Sequence, residues 1–304
     1  MSVYRTLDER EFRDLASRIL FEDNHLLVFS KRAGEIVQGD KTGDEPVSET
    51  LKAFIAQRDA KPGQVFMGVP HRLDRPVSGI CLFAKTSKAL ERLNAMFRNG
   101  EVHKTYWALC CGKPSPETAL LTDWMTRNEK LNKSFIAKGP GGEAKEAKLK
   151  YTFLKSTERY HLVEVELLTG RHHQIRCQLA HIGCPIKGDL KYGAPRSNPD
   201  GGISLHARSI RFVHPVKKTE VFLEAPVPAS WKAFSTPRAG SSPKPIPFIT
   251  CPARTDFPVL FFLPISQRLM NRKSTMTEIR EYTSVIVTRN PSISKRVSLM
   301  RTPP

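Results

Sequence analysis

The run Gly79-Ile80-Cys81-Leu82-Phe83-Ala84 constrains this chain more than any other stretch. It is apolar throughout, without alternation, and reads as a buried strand. The residues leading into it are of the opposite kind. His71-Arg72-Leu73-Asp74-Arg75-Pro76-Val77-Ser78 carries an acid, two arginines and a histidine, and Pro76 and Gly79 break regular structure. The charged group therefore sits on a loop that enters the core, where a rigid scaffold can present reactive side chains. Alone, a surface turn with a solvated Asp–Arg pair would account for it equally well. A second arginine-rich block about a hundred residues on, Gly170-Arg171-His172-His173-Gln174-Ile175-Arg176, argues for a constellation instead.

The chain of 304 residues is long enough to bury a sizeable core in one large domain or two ordinary ones. Its 48 Lys and Arg against 30 Asp and Glu give +18 and a pI near 9.8. Such a field attracts a polyanion and favours nucleic acid as the partner. The cysteines, Cys81, Cys110, Cys111, Cys177, Cys184 and Cys251, form no C-x-x-C pair, and several lie in apolar runs as buried thiols do. There is no apolar leader and no run of eighteen apolar residues, so a cytoplasmic protein without a membrane partner is expected.

Taken in order, residues 19–29 read as strand, turn and strand, and 35–38 as a short third strand. A helix is expected from about Val47, with Leu51, Phe54 and Ile55 on its buried face. A second is expected after Ser87 as N-cap, with Leu90, Leu93, Met96 and Phe97 inward and Asn99-Gly100 as its stop. Residues 102–111 form a core strand, 113–142 a basic, loop-rich segment, and 145–155 with 160–168 a strand pair. The arginine block then opens a helix with Ile175, Leu179 and Ile182 on one face and Gly183 at its end, before final strands at 203–213 and 219–225. Many strands with few intervening helices argue for an α+β fold with a mostly antiparallel mixed sheet.

The His71–Gly79 loop resembles the H-R-L-D-x-x-[ST]-G signature of the RluA family of RNA pseudouridine synthases. Lys104-Thr105-Tyr106-Trp107-Ala108 is similar to that family's K-x-Y-x-A segment, and the block ending in Arg176 to its G-R-x-H-Q-[IL]-R motif, in the same order. The resemblance runs from about Leu20 to about Pro228. It implies a pseudouridine synthase fold with a central RNA-binding cleft and flanking helices, and a reaction that needs no cofactor or metal. It also implies Asp74, Tyr106 and Arg176 as catalytic residues, with Asp74 as nucleophile or as base at the ribose. Arg176 would pair with the acid and Tyr106 would stack on the target base. Arg72 would fill the space left when the base is turned out of its stack, while Lys104, Arg171, His173 and Gln174 would contact phosphate and base edges. No role carries over to Arg75. The basic segment at 113–142 would lie at the rim of the cleft.

These readings divide the chain into an extension at 1–14, a catalytic domain at 15–238 and a basic Pro/Ser/Thr-rich tail at 239–304. The tail is expected to be poorly ordered, because prolines interrupt it and it holds ten basic against three acidic residues. With only about twenty residues ahead of the first strand, the small RNA-binding domain of some relatives is not expected. The target is then a stem-loop of ribosomal or transfer RNA. Two readings compete. His173, Cys177 and His181 fall at i, i+4 and i+8 of the expected helix, with Cys184 beyond, which would suit zinc. A basic RNA-binding protein without catalysis would require Asp74, Tyr106 or Arg176 to be misplaced.

Overall fold

The computed structural model describes residues 3–40 and 42–234. In chain order the elements are α1 (Glu9–Ser17), β1 (Ile19–Glu22), β2 (Leu26–Lys31), α2 (Val47–Arg58), β3 (Ser78–Ala84), α3 (Ser87–Arg98) and β4 (His103–Cys110). There follow β5 (Thr118–Asn128), β6 (Lys133–Ala137), β7 (Lys145–Ser156), β8 (His161–Leu167), α4 (Gln174–His181), β9 (Leu205–Val213) and β10 (Glu220–Glu224). The strands form one sheet in the order β1-β2-β3-β9-β4-β8-β7-β5-β6, and β10 pairs with β9. All these pairings are antiparallel except that of β3 with β9, so the expected α+β class with a mixed, mostly antiparallel sheet is what the chain adopts.

β3 is buried along its whole length because both faces of the sheet are covered at that point. Cys81 and Phe83 join Leu51, Phe54 and Ile55 of α2 on one face, and Ile80 and Leu82 join Leu93 and Met96 of α3 on the other. Each such aliphatic or aromatic side chain removed from water contributes roughly 1.5–3 kcal/mol. The parallel contact of β3 with β9 covers only Ser78 and Gly79, opposite His206 and Ala207. Gly79 has φ +112°, and a Cβ there would lie 2.3 Å from the Ala207 carbonyl oxygen, so the close approach requires glycine. The loop bearing Asp74 is thereby fixed where the sheet changes from antiparallel to parallel pairing.

Several expectations differ from the structure. Residues 35–38 form no strand. Ile36 and Val37 are buried, but their carbonyls accept the amides of Val47 (2.8 Å) and Ser48 (3.3 Å). Pro46 offers α2 no side-chain cap, and these carbonyls satisfy the first free amides of the helix instead. α3 is capped by Thr86, whose hydroxyl accepts the amide of Ala89, rather than by Ser87. The segment at 113–142 holds the antiparallel pair β5–β6 rather than loop alone.

The boundary expected at residue 15 falls inside α1. Asp8 caps that helix through the amide of Glu11, Leu7 and Leu15 enter the main core, and Phe12 packs on Phe54 with ring centroids 4.6 Å apart. The tail expected at 239–304 lies outside the described residues.

Candidate active site

The acid-bearing loop is tied down along its main chain. The carbonyls of Asp74, Arg75 and Pro76 accept the amides of Val77, Gly34 and Ile203 at 3.0, 2.8 and 3.0 Å. Lys31, 1% exposed at the end of β2, donates its ammonium to the carbonyls of Arg32 (2.9 Å), Glu35 (2.8 Å) and Arg75 (3.1 Å). Three donors meet three acceptors, which makes burial of the charge tolerable. Burial nevertheless lowers its pKa to about 8. On the other side of the loop, His71 Nε2 accepts the Leu82 amide at 2.9 Å, and the ring stacks on Phe97. Burial, and then the charge of Lys104, push this imidazole down to about 3, so it is a neutral acceptor.

Arg176, in the first turn of α4, meets the loop from across the sheet. Its Nη1 lies 3.2 Å from Asp74 Oδ2. Its Nε and Nη2 donate to Asp189 Oδ2 and Oδ1 at 2.6 and 2.8 Å, a bidentate pair in which Asp189 is 1% exposed. The Tyr192 ring lies beneath, 5.1 Å from the guanidinium carbon. Burial opposes the charge of Arg176, but the bonds to Asp189 and the charges of Asp189 and Asp74 outweigh it and hold the pKa above its ordinary value. The guanidinium is thus positioned by a fully buried acid and extends one nitrogen toward an acid that is about one-third exposed, Asp74. Among the described residues nothing donates to Asp74 Oδ1.

His173 faces the same carboxylate, with Nε2 3.4 Å from Asp74 Oδ2 and Nδ1 3.1 Å from the Tyr192 hydroxyl. Its backbone is left-handed at φ +52°, which costs on the order of 1–3 kcal/mol and is a conformation that recurs at functional sites. Burial, followed by the positive charge of Arg176, pushes the imidazole well below its usual range despite the nearby acid. Tyr106 is 7% exposed on β4, opposite Ala207 and Val165. Burial, then the fields of Cys81 and Asp74, push its phenol up, so it is an uncharged ring near the carboxylate.

The remaining expected contacts divide. Arg72 is exposed and has no ion pair among the described residues. Lys104 lies over the Phe97 ring at 5.3 Å, without a carboxylate partner among the described residues, and burial lowers its pKa to about 8. Arg171 is exposed and anchored through Nε to the Glu146 carbonyl at 2.9 Å. Gln174 is placed differently from the sequence expectation. It is 2% exposed, its Oε1 accepts from the Arg171 amide and the Thr169 hydroxyl, and its Nε2 donates to the Lys148 carbonyl. With these groups engaged inside the protein, it shapes the turn into α4 and is not available to RNA. His173 is a buried, neutral imidazole beside Asp74, which suits a base edge better than the phosphate contact the sequence reading also allowed.

The zinc face does not form. The helix begins only at Gln174, with His173 as its left-handed cap, and the Cys177 thiol donates to the Ser134 carbonyl at 3.4 Å. Burial, then Asp123, push that thiol up to about 11. Among the described residues no group of three or more His, Cys, Asp and Glu side chains is disposed to hold a metal. Sequence reasoning missed Asp189, Lys31 and Tyr192. Their roles appear only once the fold brings Arg176 to Asp189, the Arg75 carbonyl to Lys31 and Ser134 to Tyr192.

Residues 25–181 match the family described as RNA pseudouridylate synthase. The ribosomal large subunit pseudouridine synthase C of Vibrio cholerae is 34% identical over 71% of this chain and 67% of its own length. The tRNA pseudouridine synthase C of Vibrio parahaemolyticus is 31% identical over 72% of this chain and 93% of its own. The solved structure of human RNA pseudouridylate synthase domain containing 4 shares the fold, with a TM-score of 0.60 and 24% identity over 72% of this chain and 92% of that one. The chain therefore belongs to the RNA pseudouridine synthases of the RluA family and isomerises uridine in RNA to pseudouridine.

Proposed function

We propose that Asp74 is the catalytic carboxylate, that Arg176 is its cation, and that the substrate is a stem-loop of structured ribosomal RNA. The observation that carries the assignment is the Asp189–Arg176–Asp74 array, in which a buried acid fixes the guanidinium and Asp74 keeps one oxygen unengaged. Isomerisation breaks the bond from ribose to a uracil nitrogen, turns the base, and joins ribose to a ring carbon. The proton released from that carbon finally resides on the freed nitrogen, so electrons balance and no water is consumed. Asp74 acts on the ribose through Oδ1, as nucleophile or as base. Arg176 holds the other oxygen, and Tyr106 stacks on the base while it turns. Arg72, exposed beside the acid, fills the gap left by the extruded uridine, and Lys104 and Arg171 take neighbouring phosphates.

Ribosomal RNA is supported by the name of the Vibrio cholerae relative. Transfer RNA remains the second reading, supported by the name of the Vibrio parahaemolyticus tRNA pseudouridine synthase C, of which the chain covers 93%. We place the reaction in the cytoplasm. The five described cysteines are free thiols, and among the described residues no helix is long and apolar enough to cross a membrane. We also assign residues 3–14 to the catalytic unit, since α1 packs on its core.

The test is pseudouridine mapping by chemical labelling of ribosomal and transfer RNA from cells with and without the gene. Sites lost with the gene should return with the wild-type chain and stay absent with Asp74→Asn. The amide matches the acid in size, so this variant should fold and bind RNA as the wild type does. Near-normal turnover by Asp74→Asn would remove Asp74 from the chemistry.

A further inference from the structure

β6 is the terminal strand of the sheet, and a groove of about 480 Å³ runs along it. It is lined by residues 133–138, by Cys177 and His181 of α4 and by Tyr192, and it is open to solvent. The volume lies within the roughly 300–1,000 Å³ typical of ligand sites. Nothing in the chemistry of Asp74 uses this groove, yet the two are neighbours. The Tyr192 hydroxyl lies 3.1 Å from His173 Nδ1, and His173 Nε2 lies 3.4 Å from Asp74, so a wall two side chains thick divides them.

The groove combines an exposed ring with two lysines that no carboxylate among the described residues neutralises. Phe135 is 40% exposed. Lys133 lies between two rings, 5.4 Å from the Phe135 centroid and 5.0 Å from that of Tyr192. Among the described residues neither Lys133 nor Lys138 has a carboxylate partner, and Asp123 nearby is taken by Gln178 at 2.7 Å. The strand edge is only half closed. Ser134 turns its amide to the Tyr192 hydroxyl (2.8 Å) and receives the Cys177 thiol at its carbonyl (3.4 Å). Main-chain groups alternate sides along an antiparallel pair, so Ile136, two residues on, presents its amide and carbonyl to the same groove. No side chain or loop among the described residues engages them.

We propose that this groove is a second nucleotide site, which takes an unpaired base of the substrate RNA beside the target uridine. The base stacks on Phe135, the Ile136 main chain meets its donor–acceptor edge, and Lys133 and Lys138 take the flanking phosphates. An exposed ring with a cation over it does not suffice to make such a site. Phe222 on β10 is also 40% exposed, with Arg211 5.2 Å away, but Arg211 is already paired with Glu220.

The inference rests on the RNA reading, and the experiment separates the two. The probe is total RNA from cells lacking the gene, which contains the unmodified target whichever RNA that is. Phe135→Ala should raise KM about tenfold, the usual effect of removing a stacking ring. Lys138→Gln should flatten the dependence of log affinity on log salt by roughly 0.7–0.9, the value of one phosphate contact. Phe222→Ala is the matched control and should leave KM unchanged. A photoreactive phenylalanine analogue at position 135 should cross-link to RNA near the modified uridine. If the wild type is active and Phe135→Ala and Lys138→Gln keep its KM and salt slope, the groove is not an RNA site, as would hold if it received a protein strand. If the wild type forms no pseudouridine on this RNA, the reading beneath the inference fails and the groove with it.

Discussion

Asp189→Asn tests whether the buried acid positions the catalytic cation. The substitution preserves volume and keeps one acceptor oxygen, but it places an amide NH₂ opposite a guanidinium nitrogen that now donates at 2.6 or 2.8 Å. One charge-assisted hydrogen bond is lost, at about 1.5–3 kcal/mol. The full cost of orphaning a buried ion, roughly 3–5 kcal/mol, is not reached, because Asp74 still neutralises Arg176. We expect about 2–3 kcal/mol of lost stability, read as a lower urea midpoint at unchanged slope.

The catalytic effect should be larger in proportion. Held by one bond instead of two, the guanidinium can pivot toward Asp74 and bring a second nitrogen to Oδ1, the oxygen that no described group now holds. Blocking that oxygen and shifting the cation by about an ångström should lower kcat roughly 100-fold. Asp189 lies beneath the site, 1% exposed, so KM for RNA should stay within about threefold. The assay is tritium release under single-turnover conditions beside a binding titration at fixed salt. A variant that loses stability while keeping wild-type kcat would show Asp189 to be structural only. Equal losses in binding and turnover would show general damage to the site.

Further outcomes follow from single residues. Gly79→Ala should destabilise the fold by more than about 3 kcal/mol or abolish soluble expression, since its φ is +112° and the new Cβ would sit 2.3 Å from a backbone oxygen; wild-type thermal stability would refute the packing argument. Lys31→Met should cost about 2 kcal/mol and lower kcat. Its three carbonyl partners lose their donor, partly offset because the Arg75 carbonyl keeps the Gly34 amide and no ammonium need be buried. RNA affinity should fall as pH rises from 7 to 9. Burial lowers the Lys104 pKa to about 8, so the amine is charged below that pH and loses its attraction for phosphate above it. Lys104→Arg should remove this step, because an arginine stays charged throughout, and a step that persists in that variant would place the titrating group elsewhere.

What the sequence disclosed and what it withheld follow the same physical line. The meeting of Asp74 with Arg176 was legible because both stand in unusual charged blocks and because Ile80 and Leu82 make the strand after the loop unmistakably apolar, whereas Tyr106 was marked only by the family resemblance. α1 was not, since its apolar face is little more than Phe12 and Leu15, of which only Leu15 is fully buried, among charged residues. β5–β6 was hidden because an edge strand keeps one side toward solvent, and Arg127, Lys130, Lys133 and Lys138 obscure its short apolar run. Spacing also misled at the arginine block, where the helix starts one residue later than its pattern suggests and sends His173 toward Asp74 instead of onto a shared face with Cys177. Residue type could not separate Gln174 from Arg72, for both are polar members of a motif. The separation lies in where their hydrogen bonds close. Gln174 and Asp189 end on protein atoms and therefore hold the site in shape, whereas Asp74 Oδ1 and Arg72 end on none of the described residues, which is why the proposed mechanism gives them to the substrate. That distinction depends on partners brought from other strands, so it is set by the fold and cannot be read along the chain.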